Sequence, residues 1–403
     1  MNAACTGLIR GAVSGTLPLP HYGNLTEGTR MPDTPCPRKS ERKHRADGWL
    51  SGRTIEPLAL AGNENVADFI DNVFGASGFN ARRLAEGAEL YRRMVQDGAT
   101  VAMTLAGAMT PIGMSGVIIP LMERGFIDFV IATGANLYHD LHRPYDMPMS
   151  QGHFAADDNA LADDGVARIY DVFIDDDRTL ASTDRIVLDA VRGFDMSQPF
   201  STARLHKVLG EHVLRTAPAP EKSFVAQAAR LDVPVYTSSP GDSSIGMNLI
   251  LPYLYDRPVQ LNPLLDVIET TAIVRDGRLN GVVEIGGGSP KNFYLQTQPT
   301  LHQILNDPSK GGHDYFLQLT TDSPHWGGLS GATPSEAKSW GKVKDAHRNN
   351  VVVYSCASVT FPLIAQYVLT RCPARPLRRL LSRIDGLVAD LRSIPDPRSG
   401  ERS

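Results

Sequence analysis

Cysteine is scarce in this chain. Cys5, Cys36, Cys356 and Cys372 are the only four among 403 residues. Their spacing builds neither a disulfide framework nor a metal cluster. The natural expectation is a reducing, cytoplasmic compartment. Excess charge of either sign is also missing. A formal net charge of −4 makes no general case for nucleic acid or an anionic membrane as partner. A secretory signal is missing too, because residues 1–20 lack a continuous apolar core after a basic start.

Long apolar runs are absent except for the uncharged stretch Val101–Met122. A spanning helix needs about 20 apolar residues. Here Pro111 and Pro120, with Gly107, Gly113 and Gly116, interrupt the run. It divides into a strand over Thr100–Ala106 and a helix after Pro111, so no membrane span is expected. No internal repeat is visible.

What remains is a globular composition, 42% apolar, with enough length for one large or two ordinary domains. Residues 1–50 are rich in Gly, Pro, Thr and charge, with the basic run RKSERKH at 38–44. They are expected to form a disordered leader; no interleaved aromatics mark a nucleic-acid arm. A single α/β domain is expected over residues 51–392, and a flexible tail over 393–403.

Within the domain, strand-like and helical segments alternate. Apolar runs at 100–107, 128–134, 167–174, 233–239, 281–288, 315–321 and 350–358 read as strands. Helical periods fall at Ala81–Gln96, Glu221–Arg230, Pro258–Val274, Pro290–Leu305, Pro334–His347 and Leu377–Leu391. Strands apolar on both faces, each followed by a helix, predict a doubly wound, mostly parallel sheet of Rossmann-like type with extra N-terminal helices. In that architecture ligands bind at the carboxyl ends of the strands.

Those strand ends carry the candidate chemistry. In EIGGGSPKNF, 284–293, Gly286, Gly287 and Gly288 follow a strand, with Ser289 expected as N-cap and Pro290 at the first helical position. The run serves either an anion such as a pyrophosphate at the helix N-terminus or a tight strand-to-helix turn. It is neither of the two standard glycine fingerprints. In VIATGANLYHD, 130–140, Thr133 and Gly134 end a strand, and His139 and Asp140 are either acid–base groups or structural ones. Asp242 lies in the small-residue loop YTSSPGDSSIG, suited to a ribose hydroxyl, an amine or an ordinary turn. Thr321 and Asp322 end another strand. Cys356 reads as a small buried residue without a thiolate-stabilising partner.

The segment GATPSEAKSWGKV, 331–343, begins as a helix with a capping box: Thr333 as N-cap, Pro334 next and Glu336 at the third position. On a regular helix Trp340 and Lys342 stand about 200° apart, which would leave Trp340 in the core and Lys342 in solvent. Gly341 between them disfavours a regular helix by about 1 kcal/mol. A lysine beside tryptophan in a dry pocket would lose basicity by desolvation, and its free amine could form an imine.

Taken in order, ATGANLYHD, EIGGGSPKN, GATPSEAKSWGKV and YSCASVTFPL resemble the deoxyhypusine synthase family, most closely its bacterial deoxyhypusine synthase-like branch. The resemblance spans about residues 60–375. It implies a Rossmann-like homotetramer with NAD near subunit interfaces. It also implies a transferase that oxidises a polyamine and passes the aminobutyl group through a lysine imine to an acceptor amine. By position, the imine-forming lysine falls on Lys342, and the substrate pocket on Trp340, Glu336, Lys291 and Asn292. Cofactor contacts fall on or beside Thr133, Gly134, Asp242, Gly286, Gly287 and Thr321. The chain departs from the eukaryotic pattern where Tyr138, His139, Met247, Leu329 and Cys356 replace acids, and Asn292 replaces a histidine. A polyamine needs carboxylates or aromatic faces around its ammonium groups. Homospermidine formation from putrescine or spermidine is therefore the preferred activity. Deoxyhypusine synthesis on a protein lysine, or nucleotide binding without transfer, are the alternatives.

Overall fold

A computed structural model of the chain describes residues 49–400. The chain divides into two units, Met1–Thr54 and Ile55–Ser403. Apart from its last two residues, the leader expected over 1–50 lies outside the described residues. All that follows concerns the second unit.

Its main sheet has six strands: β1 (Thr100–Leu105), β2 (Phe129–Ala132), β6 (Val235–Thr237), β7 (Asn280–Ile285), β8 (Tyr315–Thr320) and β9 (Asn350–Tyr354). They run in the order β6-β2-β1-β7-β8-β9, and every pairing is parallel. The chain moves outward from β1 to β2 and β6, then returns to the centre and moves out the other way. The reversal falls between β1 and β7, where a Rossmann-type sheet opens a ligand crevice at its carboxyl edge.

Both faces are covered, as the doubly apolar strands require. Val101, Met103, Leu105, Val283, Leu317 and Val353 join one core with the helices Phe79–Gln96, Ser115–Glu123, Phe224–Leu231 and Ala357–Arg371. The alternate residues Ala102, Phe129, Ile131, Val282 and Phe316 join a second core with the helices Pro263–Asp276, Gly288–Leu295 and Leu380–Arg392. The period of two along each strand sorts one side chain to each core. The expected N-terminal helices are present at Val66–Phe69 and Phe79–Gln96.

The uncharged stretch 101–122 divides as expected into β1 and the helix Ser115–Glu123. Among the described residues no helix is long and apolar enough to cross a membrane.

Several boundaries differ from the expectation. The run 167–174 is not one parallel strand. It is a hairpin of β4 (Val166–Ile169) and β5 (Val172–Asp175) that turns at Tyr170, whose φ of 56° is left-handed. With β3 (Met149–Gln151) it forms a separate antiparallel sheet. The helix expected from Pro258 begins at Pro263, because Asn262 caps it by accepting the Leu264 N–H at 3.0 Å. That expected from Glu221 begins at Phe224 behind Ser223. The period over Pro290–Leu305 breaks into Gly288–Leu295, a short turn and a π-helical turn over Thr300–Ile304. Packing continues beyond residue 392: Ile394 lies against the second core, and Pro397–Gly400 form a 3-10 turn. Residues 401–403 of the expected tail lie outside the described residues.

Candidate active site

At the central reversal, the loop after β1 is fixed from the neighbouring strand. Thr133 directly follows β2, and its Oγ1 donates to the Gly107 carbonyl at 2.6 Å. The buried Asn136 donates to the same carbonyl at 3.0 Å and accepts the Met109 N–H at 2.7 Å. Thr133 occupies the N-cap position of the helix Gly134–Asp140 without a side-chain cap bond. Gly134 is needed because a Cβ there would sit 2.4 Å from Ser243 Cβ. The loop after β6, which carries Asp242, therefore packs on the end of β2. Asp242 itself is exposed. Thr237 Oγ1 and Ser238 Oγ, at the end of β6, are buried without a protein partner.

After β7, Gly286 and Gly288 take left-handed φ values of 79° and 58°, a region that favours glycine. The helix starts at Gly288 with Gly287 before it. Ser289 is thus not the N-cap and Pro290 not the first helical residue, because the left-handed Gly288 admits the helix earlier. The loop 328–331 folds back over this turn. Ser330 Oγ accepts the Gly288 N–H at 2.8 Å, and a Cβ on Gly287 would meet Ser330 Cα at 2.5 Å. One amide expected to face an anion is thereby taken by the protein's own hydroxyl. At Gly287 the run makes a tight turn that Ser330 packs against.

Lys291 is buried, at 2% exposure. Its Nζ donates to Gln318 Oε1 at 2.9 Å and to the Ala332 carbonyl at 2.7 Å, with Ser330 O at 3.4 Å. It therefore braces the 328–332 loop. Glu284, on β7, is fully buried with both carboxylate oxygens unpartnered, and Oε2 stands 4.0 Å from Lys291 Nζ. Burial pushes the Glu284 carboxyl up to about 8, against the opposing effect of Lys291 and then Lys342. The signal in GVVEIGGG is a lone acid in an otherwise apolar strand; its position facing Lys291 is visible only in three dimensions.

The helix from Pro334 is six residues long, not fourteen as Pro334–His347 would be; it ends at Ser339. Thr333 caps it, accepting the Glu336 N–H at 3.2 Å. Gly341, at φ 67°, turns the chain. Its N–H reaches Lys338 O at 2.9 Å and that of Lys342 reaches Ala337 O at 3.0 Å, the paired bonds of a Schellman stop. The assumption of a regular helix through Lys342 therefore fails. The turn brings Lys342 Nζ to 5.8 Å from the centre of the Trp340 ring, within cation–π range. Trp340 is neither core nor enclosed, at 64% exposure.

Lys342 is half-buried, and its Nζ donates to Asn292 Oδ1 at 2.7 Å. Its backbone is held in a short bridge, with the His313 N–H on Lys342 O at 2.9 Å. Burial lowers the basicity of Lys342, and the Lys291 cation lowers it further. Glu336 and Glu284 oppose both. Beside Asn292 lies a cavity of about 360 Å³ lined by Thr270, Ser289, Phe293, Gln296 and Leu329 among others. No charged side chain lines it.

The structure thus brings Lys342, Trp340, Asn292, Lys291 and Glu336 into one neighbourhood, and Thr133, Gly134 and Asp242 into another. The loop after β1 lies between them, since a Cβ on Gly286 would stand 3.1 Å from Ala106 Cβ. Thr321 is exposed at the end of β8. His139 does not stand alone: its Nδ1 lies 2.8 Å from His142 Nε2, and His142 Nδ1 lies 2.7 Å from Thr183 Oγ1. Burial, with help from Arg143, lowers His139 to about 4. Asp140 is structural, accepting from Ser115, Ser223 and the Phe224 and Val225 amides. Cys356 is exposed rather than buried. Its Sγ lies 3.0 Å from Ser358 Oγ, and that contact lowers the thiol.

A six-stranded parallel sheet with this order and a glycine turn at its reversal defines a Rossmann-type α/β protein. The chain is matched over residues 69–368 by the family model "Deoxyhypusine synthase". It is 41% identical over 361 residues to a "Deoxyhypusine synthase-like protein" of Cyanothece sp., covering 86% of this chain and 89% of that one. It is 36% identical over 304 residues to "Probable deoxyhypusine synthase 2" of Methanosarcina acetivorans, covering 75% and 86%. A crystal structure assigned as a deoxyhypusine synthase from Entamoeba histolytica shares the fold at a TM-score of 0.53 and 14% identity, over 80% of this chain and 99% of that one. The chain belongs to the deoxyhypusine synthase family.

Proposed function

We propose that this protein is an NAD-dependent transferase that carries an aminobutyl group as an imine on Lys342. Members of the family are transferases, and the family is generally NAD-dependent. The observation that carries the reading is the environment of the Lys342 amine. It is half-buried, aligned by Asn292 at 2.7 Å, flanked by Trp340 and held below its usual basicity. A neutral amine is the nucleophile that imine chemistry needs.

A dinucleotide fits the carboxyl edge of the sheet. Thr133, Gly134, Gly286, Gly287, Asp242 and Thr321 would hold it, Asp242 and Thr321 being exposed at that edge. When bound, it would supply the hydride acceptor that oxidises the donor's C–N bond to C=N, and return that hydride at the end. The chain's own part is the transfer. The Lys342 amine attacks the imine carbon, and the donor's smaller amine leaves with a proton. The acceptor amine then attacks the Lys342 imine and releases the lysine. Net redox is zero.

The lining of the cavity beside Asn292 supports a small acceptor. Phe293 offers an aromatic face to an alkyl ammonium, and the hydroxyls and amides beside it offer acceptors. Homospermidine formation from putrescine or spermidine is the preferred specific reaction. Self-association is part of the proposal, with a homotetramer expected in a cytoplasmic setting. Met247, Ile250, Tyr253, Leu254 and Tyr255 present one exposed apolar surface, Tyr255 at 78%. Surfaces of this kind mark interaction sites.

The test is incubation with NAD and putrescine or spermidine, borohydride reduction and peptide mass analysis. An aminobutyl mass on Lys342 is expected, and Lys342→Arg should abolish turnover while sparing NAD binding. No adduct and no NADH signal with any common diamine or polyamine would sink the transferase reading and favour nucleotide binding alone.

A further inference from the structure

We propose that Glu284 is a positioning residue that sets the charge on Lys342 by way of Lys291, a role that rests on the catalytic reading of Lys342. Gln318 Oε1, Ala332 O and Ser330 O stand around Lys291 Nζ at 2.9, 2.7 and 3.4 Å. An ammonium has three N–H donors for three acceptors; a neutral amine has two and a lone pair that would face the third oxygen. Burial lowers the basicity of Lys291, Glu284 opposes that loss, and the three acceptors favour the cation.

That cation has one buried acid within reach. Glu284 Oε2 lies 4.0 Å from Lys291 Nζ, too far for a hydrogen bond and close enough for strong Coulomb coupling. Neither oxygen of Glu284 has a hydrogen-bond partner. Thr104, directly opposite in the β1–β7 register, also has an unpartnered hydroxyl. A buried carboxylate without hydrogen bonds is costly, so the acid is held protonated to unusually high pH, about 8.

Two charge states follow. With Glu284 protonated, the Lys291 charge is uncompensated and pushes Lys342 toward the free amine. With Glu284 ionised, the pair is neutral and Lys342 regains basicity. Loss of the Glu284 proton thus resists loss of the Lys342 proton, and the lysine titrates over a widened pH range. The other groups that bear on the cluster are Glu336 and Asp322 toward Lys291, and Tyr294 toward Glu284. The Tyr294 hydroxyl is occupied by Gly281 O at 3.1 Å.

The experiment measures Lys342 without substrate or NAD. The full chain is reductively alkylated with propanal and cyanoborohydride from neutral to alkaline pH, and labelling of Lys342 is read by peptide mass analysis against exposed Lys338. Glu284→Gln should move the Lys342 midpoint down by on the order of one pH unit and sharpen the curve to a single site. Lys291→Met should move it up. The double variant should match Lys291→Met, because Glu284 without its cation stays neutral. A Glu284→Gln curve matching wild type, or a full Glu284→Gln shift persisting in the Lys291→Met background, would overturn the proposal.

Unfolding provides a second measurement should Lys291→Met not fold. Because the folded carboxyl is raised from 4.5 to about 8, its contribution is present below pH 4.5 and lost as pH rises through 8. Wild type should lose stability relative to Glu284→Gln across that window. A constant difference would show that Glu284 is ionised in the folded state, against the proposal. Failure of polyamine trapping would leave both readouts standing, so the two readings fail separately.

Discussion

Lys342 and Asn292 touch through one hydrogen bond, and the rest of the candidate chemistry depends on it. At 2.7 Å the amide oxygen both orients the amine and favours its charged form. Burial and Lys291 act the other way. Hydrogen bonds to charged groups contribute about 1.5–3 kcal/mol. Asn292→Ala should therefore move the pH midpoint of Lys342 adduct formation down by on the order of one unit, while loss of alignment lowers the plateau rate at alkaline pH. Stopped-quench trapping checks this; an unaltered rate would show that the amine is placed by its backbone alone. Lys291 and Glu284 illustrate what a residue list does not reveal. Lys291 stands beside the pocket in sequence, but its protons are committed to the protein's own carbonyls and amide. Glu284 stands out in the sequence only as the one charge in an apolar strand, and its partner does not show there.

The element that places Lys342 is a stop, not a helix. Thr333 and Pro334 start the helix as their types dictate, and that start was legible. Its end was not, because Gly341 inside a helical period reads as a modest penalty rather than a terminus. Tertiary packing decides it: a Cβ on Gly341 would lie 2.6 Å from His302 Nε2, and φ is 67°. Gly341→Ala thus meets a left-handed penalty of about 1–2 kcal/mol together with displacement of His302. A fall of several degrees in Tm is expected, with a larger loss of Lys342 trapping than of stability. Trapping that survives intact would mean that the turn does not position the amine. The strand ends behave likewise. Gly134 and Gly287 admit the protein's own loops at Ser243 and Ser330.

At the scale of the whole molecule, the parallel sheet reverses between β1 and β7 and gathers the strand-end residues onto one edge. The apolar surface over Met247–Tyr255 belongs to this scale as well. Six exposed large apolar residues, Met247, Ile250, Leu251, Tyr253, Leu254 and Tyr255, crowd one short stretch. Placing charge there, as in Tyr253→Glu with Leu254→Glu, should lower the mass measured by light scattering from that of an oligomer to that of a smaller species. The fold should be retained, since these side chains contribute little to the monomer core. An unchanged mass would assign the surface to another partner.

The sequence by itself determined the architecture. Continuous apolar runs, alternating with helical periods, can bury both faces only in a covered parallel sheet. It also determined where to look, because such sheets expose their ligand sites at strand ends, and those ends carry Thr133, Asp242, Gly286 and Thr321. It singled out Lys342 only through resemblance, since helical spacing pointed that side chain toward solvent. The tertiary structure decided the rest: the Schellman stop that turns Lys342 toward Trp340 and Asn292, the Ser330 hydroxyl on the glycine turn, and the isolated Glu284 facing Lys291. The Lys342–Asn292 and Ser330–Gly288 bonds join segments dozens of residues apart, and Glu284 meets Lys291 only because the chain folds back from strand to helix; local periodicity carries no record of such contacts.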